Sequence, residues 1–279
     1  MAKFYRSREG SGSAIDTRNQ LTTLGSQTAP GALLVPGAAT HLTALHIAGV
    51  TSNEAADQYG LLFRLEGPGI QRGTFVIAGG AGGGSVATGG HTLAGSRRIP
   101  VNLPVVPGQE IIVLAEAVGD DMGTYQFGVT CEFATEVGPE GEIKGEITVE
   151  GDITTVDSVT RLTSQGSVTA PSRLTPPDAT KLSRIVYAIG SDAAADGEVN
   201  YILRIGGDAV KGGEQTIILG AESYIDVQAG SDSAHAHMVP QTLENLDIEV
   251  APNETIDISL EMAGVDVGSA TAVVSAHFA

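Results

Sequence analysis

The chain contains the same ending twice. "PGQEIIVLAEAVG" begins at Pro107 and "PNETIDISLEMAG" at Pro252, and each runs on to a closing Phe-Ala, at Ala134 and at Ala279. In this stretch Ile111, Glu116, Gly119 and Phe133 fall on Ile256, Glu261, Gly264 and Phe278 without a gap. Earlier pieces match as well. "LTTLGSQTAP" from Leu21 falls on "LTSQGSVTAP" from Leu162, and "AADQYGLLFRLEG" meets "AADGEVNYILRIGG", which sets Arg64 on Arg204. A long internal repeat of this kind marks two copies of one folding unit and must be found before any motif is weighed. Its expected bounds are a basic flexible arm at 1–13, copy one at 14–134, an acidic glycine-rich linker at 135–154 and copy two at 155–279.

Each copy reads as all-β. "EIIVLAEAV" and "TIDISLEMA" tend toward the two-residue alternation of a half-buried strand. "TALHIAGV", "YGLLFRLEG", "RIVYAIG" and "NYILRIGG" are further strands cut by Gly, Asn and Asp. An apolar stripe of helical period, sustained over three turns, is missing from the chain. About eight short strands per copy predict two tandem antiparallel β-sandwiches of jelly-roll type. An immunoglobulin-like sandwich is the alternative, but its Cys…Trp…Cys signature is absent, and the chain has no Trp at all.

Charge narrows the partners. Thirty-three acids against fifteen Lys and Arg give a net charge of −18, so the acidic body is expected to repel nucleic acid. The first residues run the other way: Lys3, Arg6, Arg8 and Arg18 outnumber Glu9 and Asp16, and these four cations are the expected contacts of the arm. No apolar run approaches the roughly 20 residues of a membrane span. "MAKFYRSREGSGS" lacks the apolar core of a secretory signal, so the chain is expected to work where it is made or to leave the cell by a route that needs no signal, such as lysis or assembly into a particle.

Few residues suggest chemistry. Cys131 stands alone, which excludes a disulfide framework, and its counterpart is Ala276, so it reads as a core residue. "AGGAGGGSVATGG" (78–90) is glycine-rich but lacks the Gly-Lys-Ser/Thr of a phosphate loop. "GDDMG" (119–123) lacks the spacing of a calcium loop. His235 and His237, two apart, would share one face of a strand and form half of a metal site, with no third ligand legible. His41 and His46 have no histidine counterparts in copy two, and neither reads as a ligand. No cofactor and no catalytic residue is expected.

Two jelly-roll-like units in tandem, with a short basic arm and no catalytic constellation, resemble viral coat proteins of the tandem (double) jelly-roll type. The pieces behind the resemblance are the duplicated "TAP…AT.L", "AAD…R" and "P…I…E..G" stretches. The resemblance implies a non-enzymatic structural protein of the virion that contacts copies of itself, as a trimer or a larger assembly, and other capsid proteins. The two copies are more alike, and the chain more compact, than is usual there, so a decoration protein fits the pattern as well as a shell-forming coat. The alternative is a non-catalytic adhesion or binding module, such as a fibre, turret or receptor-binding component, acting through its loops.

Overall fold

The structure is a computed structural model, and it describes residues 2–28, 31–52, 58–82, 90–119, 124–139, 141–192, 197–224, 240–264 and 269–279. In the first domain the principal strands are β1 (Lys3–Gly12), β2 (Asn19–Gln20), β3 (His41–Ser52), β4 (Tyr59–Glu66), β5 (Phe75–Gly82), β6 (Gly90–Pro104), β7 (Glu110–Gly119) and β8 (Thr124–Ala134). In the second they are β9 (Gly145–Ile153), β10 (Ser158–Arg161), β11 (Lys181–Asp192), β12 (Gly197–Gly206), β13 (Gln215–Tyr224), β14 (Gln241–Leu243), β15 (Asp257–Gly264) and β16 (Ser269–Phe278). No helix occurs among the described residues, so none is long and apolar enough to cross a membrane.

Strand order repeats between the domains. The first sheet of each runs β1-β8-β3-β6 and β9-β16-β11-β14; the second runs β2-β7-β4-β5 and β10-β15-β12-β13. Two four-stranded antiparallel sheets that share eight strands in this order are the jelly roll. The expected all-β, tandem jelly-roll architecture is the one observed. Short pieces extend the pattern, including Thr23–Leu24 beside β1 and Leu33–Leu34 beside β7.

Alternation fills each sandwich. Along β8, Phe127, Val129, Cys131 and Phe133 point between the sheets and are buried, while Gln126, Thr130 and Glu132 take the opposite face. Phe127 meets Phe63 of β4 edge-to-face, with centroids 5.6 Å apart, which joins the two layers of the first core. In the second domain Tyr187, Ile189, Val274, Phe278, Leu203 and Leu260 do the same work. Cys131 is one of these core side chains, and burial pushes its thiol up to about 12.

Two segments expected to lie outside the sandwiches are strands within them. The basic arm is β1, whose ten residues pair with β8 from Lys3–Ala134 to Gly12–Tyr125, and whose Phe4 packs on the core. The acidic linker contributes β9, paired with β16 from Gly145–Phe278 to Ile153–Ala270. Both segments carry charge because one face of each strand leaves the core, and alternation over so few apolar residues is faint. They are also counterparts: Lys3, Glu9 and Gly10 align with Lys144, Glu150 and Gly151. Glu9 accepts the Gly25 N–H at 2.7 Å, as Glu150 accepts the Gly166 N–H at 3.4 Å. Gly25 and Gly166 both take φ 58°, a left-handed turn that glycine makes at least cost. The repeated unit therefore begins at the first strand of each domain, and only the short stretch between β8 and β9 connects them.

Candidate functional site

The four cations assigned to the arm do not converge. Lys3 Nζ lies 2.9 Å from Glu132 Oε1. Arg6 is exposed and donates to its neighbour's carbonyl, Tyr5 O, at 3.0 Å. Arg8 donates to Ser7 O and Ala32 O. Arg18 reaches across to the second domain, where its Nε donates to Ser167 Oγ at 3.1 Å. Held in or beside a sheet, these side chains do not form a free arm. His235 and His237 lie outside the described residues. Among the described residues no group of three or more His, Cys, Asp or Glu could hold a metal ion.

Around Glu132 the structure assembles a cluster that sequence reasoning missed. Its carboxylate points off the outer face of β8 yet is almost fully buried, because Lys3, Thr43, His46 and Arg98 close over it at 2.9–3.4 Å. Burial raises the carboxyl, but the hydrogen bonds from Arg98, Lys3, His46 and Thr43 outweigh it and hold the pKa near 2. Such a group stays ionised at neutral pH. It ties β1, β3, β6 and β8 together rather than exchanging protons. The available signal was its outward position in "TCEFA", on the face shared with His46.

The larger surface is the seam between the domains. The outer face of the β2-β7-β4-β5 sheet packs against the outer face of the β9-β16-β11-β14 sheet. Val186 of β11 and Val273 of β16 turn away from their own core and join the hydrophobic cluster of the first domain. Gly60 permits this approach: a Cβ there would lie 2.4 Å from Val273 Cγ2. Ala78 N–H donates to Ser275 Oγ at 2.8 Å, and Thr148 Oγ1 donates to Val76 O at 2.7 Å.

Polar groups fix the register of the seam. Arg64 Nε donates to Glu116 Oε2 at 2.8 Å, with both side chains buried. Arg64 Nη2 then reaches Gln165 O at 2.6 Å, and Glu116 Oε1 accepts Ser167 N–H at 2.6 Å. Arg64 and Glu116 repeat in the sequence as Arg204 and Glu261; the structure shows that each arginine binds its glutamate and that only the first pair is covered. Nearby, Glu146 Oε1 accepts Val76 N–H at 3.1 Å, and loss of solvent in the seam raises its pKa to about 8. Burial likewise lifts Glu150 to about 7, with Asp152, Asp16 and Glu116 adding to the rise. His277, fully buried beside Arg184 and Phe75, has no hydrogen-bond partner for either ring nitrogen, and burial lowers it to about 3.

No family model matches the chain, and no curated protein matches it. Solved structures do resemble it in architecture. A triple jelly-roll protein of an archaeal virus, described with that virus's turret assembly, aligns over 98% of this chain at 12% identity with a TM-score of 0.24. This chain spans 56% of that protein's length. A structure from Sulfolobus turreted icosahedral virus aligns over the whole chain and 93% of its own length, at 11% identity and a TM-score of 0.21. A peptide-N(4)-(N-acetyl-β-D-glucosaminyl)asparagine amidase aligns over 98% of this chain and 96% of its own, at 10% identity and a TM-score of 0.40. The chain thus aligns with structures from virions and also with an enzyme. At these identities and scores no residue role passes from any of them to this chain.

Proposed function

We propose that this chain is a structural protein of a virion, forming or decorating an icosahedral capsid shell through contacts between subunits. The observation that carries this reading is the docking of two jelly rolls sheet face to sheet face within one chain, a packing of sandwich on sandwich that contacts between subunits would extend. The described side chains support it. Cys131 is buried and its thiol is hard to ionise, and Glu132 is fixed as a carboxylate, so neither suits acid–base or nucleophilic work. The lysines that line two open grooves beside the second domain are already paired, Lys181 with Asp247 at 2.5 Å and Lys211 with Glu249 at 4.0 Å. In this reading the partners are other copies of the chain, as a trimer or a larger assembly, and other capsid proteins. The acidic body binds no nucleic acid, and the protein resides in the virion after synthesis in the host cytoplasm.

Light scattering on the full chain, in low and in molar salt, with electron microscopy of the same samples, tests the proposal. Discrete multimers or closed particles are expected. A strict monomer under every condition, alone and with isolated shells, would remove the structural role.

A further inference from the structure

The seam inside the chain joins two different faces: the outer face of the second sheet in domain one, and the outer face of the first sheet in domain two. Because the domains are copies, each of these faces has a counterpart that the chain leaves uncovered. Domain one exposes its β1-β8-β3-β6 face, and domain two exposes its β10-β15-β12-β13 face. Burial records the difference. Every residue of β5 is buried, whereas in its counterpart β13 Thr216 and Ile218 are exposed.

We propose that these two free faces dock on one another between molecules, so that a second copy of this chain continues head-to-tail the contact already made within it. Part of the polar code is retained on each face, although Glu146 and Gln165 of the seam become Tyr5 and Leu24. On the face of domain one, the hydroxyls of Ser7 and Thr130 lie 2.8 Å apart, as do those of Thr148 and Ser275 in the seam. On the face of domain two, Arg204 pairs with Glu261 at 2.6 Å in the position of Arg64 and Glu116. The register places Ile218 where Ala78 sits, since both lie beside the same bulge, opposite Ile202 and Leu62. Ile218 N–H therefore meets Thr130, and Thr216 C=O meets Ser7. Arg204 and Glu261 meet the main chain at Leu24 and Ser26, the counterparts of Gln165 and Ser167.

Four of the exposed apolar residues fall on the same two faces. Of the seven large hydrophobic side chains exposed among the described residues, Tyr5 and Leu24 lie on the first face and Val159 and Ile218 on the second. Ile218 is 69% exposed, a position that favours a partner. Three differences set the strength. Val273 and Val186, which enter the first core across the seam, are replaced on the free face by Gly128 and His46, and Gly60 by Asn200, so the contact between molecules buries less apolar surface than the seam and is reversible. A heterologous contact of this kind closes into a ring or extends as a filament, according to the rotation it imposes.

This inference rests on the self-assembling reading above and specifies its interface. The test uses two full-length variants, Thr130→Cys and Ile218→Cys, with buried Cys131 left in place. Each is oxidised alone and then as an equimolar mixture, alongside light scattering of the parent. A cross-linked dimer in the mixture and in neither variant alone is the expected result. Multimers in scattering without that cross-link, or self-cross-linking of a single variant, would overturn the head-to-tail interface while leaving assembly standing. A parent that stays monomeric, with no cross-link in the mixture, would overturn both.

Discussion

Arg64 and Arg204 hold the same place in two copies of one fold, and each binds a glutamate. Only their surroundings differ. Both side chains of the Arg64–Glu116 pair are sealed in the seam, whereas Arg204 and Glu261 retain 29% and 15% of their side-chain exposure. Removing one partner of a buried pair strands the other charge, so Arg64→Met is expected to cost about 3–5 kcal/mol. Arg204→Met is expected to cost far less, because water replaces the lost contact. Urea unfolding of the two variants measures the difference directly, and equal losses would mean that the seam does not exclude water.

Two further residues give opposite pH dependences. Glu132 sits near 2, below its usual range, so its stabilisation is complete above about 4.5 and disappears as pH falls toward 2. Glu146 sits near 8, above its usual range, so the folded state holds the proton more tightly. Its stabilisation is complete below about 4.5 and is lost as pH rises toward 8. Glu146→Gln keeps an acceptor for Val76 N–H without the charge. Its unfolding midpoint is expected to vary less than the parent's between pH 5 and about 8. An unchanged slope would show that Glu146 is solvated.

At the scale of the elements, β1 matters most for how the molecule is handled. It supplies ten register pairs to β8 and brings Phe4 to the core, so removing residues 1–13 strips a full-length strand from the first sheet. The shortened chain is expected to lose cooperative unfolding, followed by circular dichroism, rather than only its tendency to assemble. A truncated protein that melted like the parent would show that β1 is dispensable. The same strand shows how far charge can mislead: Lys3, Arg6 and Arg8 read as a tail, yet strand pairing asks only that one face be apolar enough, and Phe4 with the ladder suffices.

For the molecule as a whole, Val186 and Val273 decide how many parts unfold. They belong to the second domain by sequence and to the first core by packing. The parent is therefore expected to unfold in a single calorimetric transition. Gly60→Val, which forces a side chain into the 2.4 Å approach to Val273, is expected to split it in two. Two transitions in the parent would mean that the seam couples the domains too weakly to unite them.

The duplication, the all-β class and the alternation of the strands could be read from the chain, because repeats and a two-residue period are local patterns that survive in one dimension. Arg64, Glu116 and Cys131 were visible as paired positions for the same reason. The strand identity of the two charged segments, the cluster around Glu132 and the covering of one face in each domain were decided only in three dimensions. Whether an outward residue meets water, a neighbouring strand or the other domain depends on which sheets face one another. Identical residues in two copies carry no trace of that difference, and here it separates a buried ion pair from an open surface.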